Sequence, residues 1–92
     1  MTKVLLLGAG NIGVAIAKLL QGSGDYLVTV ADRDELRLTG MPEGVTATVL
    51  DVTDRVAVRR MLSETDAVLS ALPYFLNVPI AEIARETDTH YF

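Results

Sequence analysis

Apolar and polar positions recur along this chain at two different periods, and the switches between them mark out its elements. Lys3 to Leu7 is apolar at every position after the first, the pattern of a central parallel strand covered on both faces. From about Asn11 to Gln21 the period lengthens. Ile12, Ala15, Ile16, Leu19 and Leu20 fall at i, i+3, i+4, i+7 and i+8, one apolar stripe expected to face the sheet. Gly13 and Ala17, four apart, form a second row of small residues suited to close packing, and Gly22-Ser23-Gly24 closes the helix. Tyr26 to Ala31 is the second strand, with Asp32 just past its C-terminal end. Arg33 to Leu38 has room for one or two helical turns before Gly40, Pro42 and Gly44 break them. Val45 to Leu50 alternates Val or Ala with Thr at most positions, which predicts a strand with one less buried face, at a sheet edge.

The second half repeats the alternation. A helix is expected over roughly Asp54 to Ser63, capped by Thr53, with Ala57, Val58, Met61 and Leu62 inward and Arg55 and Arg59 outward. Ala67 to Leu72 makes a fourth strand, which Pro73 stops. The last helix, about Asn77 to Glu86, takes Pro79 in its first turn and buries Ile80, Ile83 and Ala84. Glu82, Arg85 and Glu86 give it an exposed, charged face. Thr89 to Phe92 reads as a fifth strand. Strands alternating with helices predict an α/β fold: a Rossmann-like, doubly wound parallel sheet of about five strands in the order 3-2-1-4-5, with right-handed crossovers.

Composition narrows what such a fold can do. The 92 residues support one core and hence one domain, 1–92, and half of them are apolar, so the chain is globular rather than disordered. There is no run of eighteen apolar residues to span a membrane. The N-terminal residues show no signal-peptide pattern, which points to the cytoplasm. A formal charge of −4 argues against a nucleic-acid partner. The absence of cysteine excludes disulfides, a thiol nucleophile and thiolate metal sites, and a single histidine, His90, excludes a His-rich centre, so no metal site is expected.

The chemistry concentrates where strands end. Gly8-Ala9-Gly10-Asn11-Ile12-Gly13 follows the first strand and opens the first helix, the setting in which this glycine spacing binds a dinucleotide. Gly8 permits the sharp turn, Gly10 lets the backbone close on a pyrophosphate, and Gly13 lets the helix pack on its own strand. The N–H groups around Asn11 and Ile12, at the positive end of the helix, would face the phosphates. Without a ligand, the same glycines make only a tight turn. Asp32, twenty-four residues after Gly8, stands near the offset of the acid that accepts from the adenosine ribose hydroxyls and repels a 2′-phosphate, so NAD is expected over NADP. Its alternative role is to cap the short helix that follows. Arg33 leaves NADP open, since a guanidinium there can stack on adenine or hold a 2′-phosphate, or simply lie in solvent.

Asp51 can accept from the adenine amino group while the Val52 backbone pairs with a ring nitrogen; equally, Asp51 can close a turn. At the end of strand 4, the backbone of Ala71, Leu72 and Pro73 would line the nicotinamide ribose. Tyr74 is more readily packing than a substrate contact. No catalytic set is apparent. Ser70 lacks the sequence of a nucleophile elbow. His90 suits a structural place in a terminal strand better than that of a general acid.

Val4 to Gly13, Asp32-Arg33-Asp34, Leu50 to Asp54 and above all Asp66 to Tyr74 resemble the N-terminal domain of saccharopine dehydrogenase-like oxidoreductases, over essentially the whole chain. The glycine loop is generic; Ser70-Ala71-Leu72-Pro73-Tyr74, followed by Asn77 and a helix, is the more specific part. The resemblance implies a nicotinamide-dependent enzyme that oxidises or reduces a C–N bond, typically joining or splitting an amine and a carbonyl acid. It also implies that a C-terminal substrate and dimerisation domain carries the catalytic groups, so these residues are a fragment, inactive alone. The edge left open at strand 5 allows a homodimer that truncation itself would produce. A rival reading is a regulatory NAD(H)- or nucleotide-sensing domain of a potassium channel or transporter. Such domains share the glycine loop, the acid after strand 2 and an Asp-x-Thr-Asp-like segment, but usually place acidic and polar residues where Leu72-Pro73-Tyr74 stands here.

Overall fold

A computed structural model describes residues 1–72 and 77–92, with residues 77 and 78 described by their backbone alone. In chain order the elements are β1 (Thr2–Leu7), α1 (Asn11–Ser23), β2 (Tyr26–Asp32), a 3₁₀ turn (Glu35–Leu38), β3 (Thr46–Val49), α2 (Arg55–Ser63), β4 (Ala67–Ser70), α3 (Asn77–Glu86) and β5 (His90–Tyr91). All strand pairs are parallel and the order is β3-β2-β1-β4-β5, as the alternation of periods predicts. The chain leaves the β3 edge and re-enters beside β1 as β4, which puts the topological switch point between β1 and β4. Register brings the strand ends level there: Leu7 lies opposite both Ala31 of β2 and Ser70 of β4.

Period-two alternation along β1 divides the core between two faces. Leu5 and Leu7 join Val68, Leu50, Val58, Leu62, Ile80, Ile83 and Ala84 under α2 and α3. Leu6 joins Ala9, Ala17, Val28 and Val30 under α1, with Ile16, Leu20 and Leu69 at its margin. The inward residues expected for α2 and α3 are those found. The two helices also join at the surface, where Arg55 pairs with Glu82 at 3.6 Å and Arg59 with Glu86 at 2.6 Å. The two faces that each sequence stretch marks as polar therefore meet one another.

The stripe expected on α1 faces the sheet only in part: Ile16 and Leu20 pack at the margin of the core, and the other three positions are exposed. The buried residues of α1 are Gly13 and Ala17, while Ala15 is exposed and Ile12 and Leu19 are 71% and 76% exposed. The reason is the distance of approach. A Cβ on Gly13 would collide with the Gly8 carbonyl oxygen, so the helix lies too close to its strand for long side chains to be interposed. The row of small residues takes the closest contact, Ile16 and Leu20 pack beside it, and Ile12 and Leu19 turn outward. On this face the sheet beyond β1 is thinly covered: a groove of about 460 Å³ runs past Val4, Leu20, Ala67 and Leu69 to Phe92, which is 70% exposed.

Element ends differ from expectation by a residue or two. Asp54, not Thr53, caps α2, its Oδ1 accepting from the Ala57 N–H at 3.2 Å. Gly22 stays within α1, and Gly24, at φ 77°, ends it by donating to the Gln21 carbonyl. β2 continues through Asp32, whose carbonyl takes the Leu50 N–H at 3.0 Å. β3 is the exposed edge its Thr-rich alternation predicts.

Candidate functional site

The level strand ends form one rim, and the backbone ties the loops that leave it. Gly8 donates to the Ala31 carbonyl at 2.8 Å, and Ala71 donates to the Leu7 carbonyl at 2.8 Å. Gly8 turns at φ 98°, a left-handed conformation that a side chain would strain, so the sharp bend depends on glycine. Gly10 plays a different part. A Cβ there would meet nothing within 4 Å, so the missing side chain opens space outward rather than permitting internal packing. Gly10 is also the N-cap of α1 and supplies no side-chain acceptor; the first helical N–H to find a carbonyl is that of Val14, on Gly10 at 2.9 Å. Among the described residues, the N–H groups of Asn11, Ile12 and Gly13 are thus left for an acceptor from outside. The N–H groups of Gly8 and Ala9 are bonded inward, to the Ala31 carbonyl and the Asp32 carboxylate, but nothing fills the bend at Gly10.

Asp32 ends β2 with both carboxylate oxygens engaged. Oδ2 accepts from the Ala9 N–H at 2.9 Å and Oδ1 from the Asp34 N–H at 2.8 Å. Asp32 does not take its alternative role as cap of the short helix: that cap is Asp34, whose Oδ1 takes the Leu36 N–H at 3.0 Å. Asp34 also sits 3.7 Å from the Arg37 guanidinium, an exposed pair. After β3, Asp51 closes a turn, accepting from the Thr53 N–H at 2.9 Å and the Thr53 hydroxyl at 2.6 Å, both through Oδ1. These bonds from Thr53 hold its carboxyl below the ordinary value of 3.8, with a smaller contribution from the charge of Arg33. At the end of β4, the Ser70 hydroxyl accepts from the Leu72 N–H at 3.2 Å. Burial pushes the neighbouring Tyr91 phenol up, against a hydrogen bond with Ser70.

These groups surround a cavity of about 490 Å³ lined by Gly8, Gly10, Ala31, Asp32, Arg33, Arg37, Leu50, Asp51, Val52, Thr53, Ala71 and Leu72. The volume is in the range of small-molecule sites. Eight of the residues singled out in the sequence line it: Gly8, Gly10, Asp32, Arg33, Asp51, Val52, Ala71 and Leu72. Asn11, Ile12 and Gly13 stand beside it at the start of α1. Pro73 and Tyr74 lie outside the described residues. Arg37 was missed, although its spacing from Arg33 is one helical turn and the turn itself was expected. His90 begins β5, opposite Ala67 at the start of β4, and lines a separate hollow with Asp25, Asp66 and Asp88. It therefore sits on the opposite rim, away from the glycine loop. Among the described residues no His, Cys, Asp and Glu group could hold a metal ion, and no helix is long and apolar enough to cross a membrane.

The family model of the saccharopine dehydrogenase NADP-binding domain matches residues 4–92. The NADP(+)-specific, L-glutamate-forming saccharopine dehydrogenase of Saccharomyces cerevisiae is 35% identical over 88 residues, which are 94% of this chain and 20% of the relative. Its counterpart in Schizosaccharomyces pombe is 30% identical over 94 aligned positions, 98% of this chain and 21% of the relative. The solved apo structure of the L-Glu-forming enzyme from Saccharomyces cerevisiae superposes with a TM-score of 0.92 at 33% identity, covering 99% of this chain and 21% of that one. The chain thus spans about a fifth of the length of these relatives. The matches lend no support to the channel or transporter sensor.

Proposed function

The chain belongs to the family of saccharopine dehydrogenase NADP-binding domains, and from that premise we propose that it holds NADP(H) in the cavity at the strand ends. The observation that carries this is the unfilled bend at Gly10, with the N–H groups of Asn11, Ile12 and Gly13 left for an outside acceptor. A diphosphate satisfies those donors and the positive end of α1 together. The adenosine end then lies over Asp32, Arg33 and Asp51, with the Val52 backbone beside the adenine. Ala71 and Leu72 flank the nicotinamide ribose.

The choice between cofactors turns on charge. The sequence weighs Asp32 against a 2′-phosphate and favours NAD. Two features of the site favour NADP: two backbone N–H groups already face the Asp32 carboxylate, and two guanidinium groups, Arg33 and Arg37, line the same cavity. The NADP(+)-specific enzymes named above bear on this chain in the same sense.

In the parent protein, the domain would serve an oxidoreductase acting on a C–N bond. The cofactor supplies hydride transfer when bound, and the residues in hand bind and orient it. The chain covers about a fifth of its relatives' length, and a substrate domain that brings the reacting groups is part of the proposal. A cytoplasmic setting suits such an enzyme. Calorimetric titration with NADPH, NADH and ADP-ribose tests the proposal. Saturable binding is expected, with NADPH the tightest. Arg33→Ala should weaken NADPH by about tenfold, the worth of a charged hydrogen-bonded pair, and leave NADH nearly unchanged. A folded chain that binds none of the three ligands refutes the assignment.

A further inference from the structure

We propose that Asp32 is a positioning residue: its carboxylate fastens the glycine loop to the turn that carries the arginines, instead of reading the adenosine ribose. The inference rests on the proposed placement of the dinucleotide at the Gly10 bend. Three observations carry it. Ala9, the residue between the two loop glycines, donates to Oδ2 at 2.9 Å, and Asp34 donates to Oδ1 at 2.8 Å. Each oxygen thus already accepts a backbone donor, so about half of the carboxylate's acceptor capacity is spent inside the protein. Both anchored amides also belong to parts that shape the site, the first beside the Gly8 bond to the Ala31 carbonyl. Ala9 is inside the bend, and the Asp34 side chain in turn caps the 3₁₀ turn and pairs with Arg37.

One side chain therefore sets two geometries at once. The bond to Ala9 fixes how far the Gly10 backbone stands from the diphosphate. The bond to Asp34 closes the backbone around Arg33, which lies between the two aspartates and so takes its direction from that turn. The donors also offset the charge of the carboxylate, so a 2′-phosphate near Arg33 meets less repulsion than an unpartnered aspartate would give.

The two roles predict different patterns across cofactors. A ribose reader serves NADH, so its loss weakens NADH and leaves NADPH unchanged or tighter. A clamp serves the bend common to both and the turn that carries Arg33, so its loss weakens both cofactors, NADPH at least as much as NADH. We expect Asp32→Ala to weaken each by about tenfold or more, and Asp32→Asn, which keeps one acceptor oxygen, to weaken each by less. A fall confined to NADH, or a gain for NADPH, overturns the inference. Amide exchange in the unmodified, cofactor-free chain gives a second arm that no variant can spoil by unfolding. Corrected for sequence, the Ala9 and Asp34 amides should exchange at least tenfold more slowly than those of Asn11 and Ile12, and equal rates overturn the clamp. An unmodified chain that shows this protection yet binds no dinucleotide overturns the cofactor proposal and leaves the clamp in place.

Discussion

Three glycines in six residues do three separate jobs, and two of them can be pulled apart by a single methyl group. At Gly10 a methyl meets nothing in the folded chain but occupies the side from which a diphosphate would approach. At Gly13 it collides with the Gly8 carbonyl. Gly10→Ala should fold with a stability within about 1 kcal/mol of the parent, the usual scale for an N-cap change, and lose most of its affinity for NADPH. Gly13→Ala should lose about 1–3 kcal/mol or more to overpacking against backbone, before any ligand is added. Urea unfolding and calorimetry on the pair separate the two effects; equal losses of stability would show that the two positions do the same work. The spacing of these glycines was legible in the sequence because the backbone requirement is local. The direction of the Asp32 carboxylate was not. An aspartate at a strand end can turn outward to a ribose or back to its own loop, and only the placement of Ala9 and Asp34 decides between them.

At the scale of elements, α1 shows why periodicity alone misreads a face. Both of its rows recur at helical spacing, and hydrophobicity favours the row with the larger residues. What decides is how near the helix axis comes to the sheet, and Gly13 and Ala17 set that distance. Helices α2 and α3 were easier, because each has one apolar face and no competing row. Their surface contact adds a testable pH dependence. The hydrogen bond and charge of Arg59 hold the Glu86 carboxyl below its ordinary 4.5. A carboxyl lowered by folding adds stability at pH above its unfolded value, and that contribution fades as pH falls through the folded value. Thermal unfolding of the parent and of Glu86→Gln should therefore differ at pH 7, by the small amount expected of an exposed pair, and converge below pH 4.5. Curves that stay equally far apart at acid pH would mean that the pair is not the source of the difference.

Across the whole molecule, the architecture was the most legible level. Strand and helix periods alternate, crossovers have one hand, and a parallel sheet of this order follows with its loops gathered at one rim. That gathering is what turns scattered positions such as Gly8, Asp32, Asp51 and Ala71 into neighbours around one cavity. The division of cover between the two faces was not legible, since it depends on which way α1 is rolled. One face of β4 lies beneath α2 and α3, while the other borders the groove that ends at Phe92. With Ile12 and Leu19 of α1 also turned outward, the native chain presents oily surface to water without any part of it unfolding. It should light up an anilinonaphthalene sulfonate dye while keeping its full circular dichroism, and salt should precipitate it early. Leu19→Lys with Phe92→Ser should dim the dye and raise the precipitation threshold while the melting curve stays cooperative. A preparation that looks half-melted by dye alone would thus be wholly folded, its glow coming from the roll of a single helix.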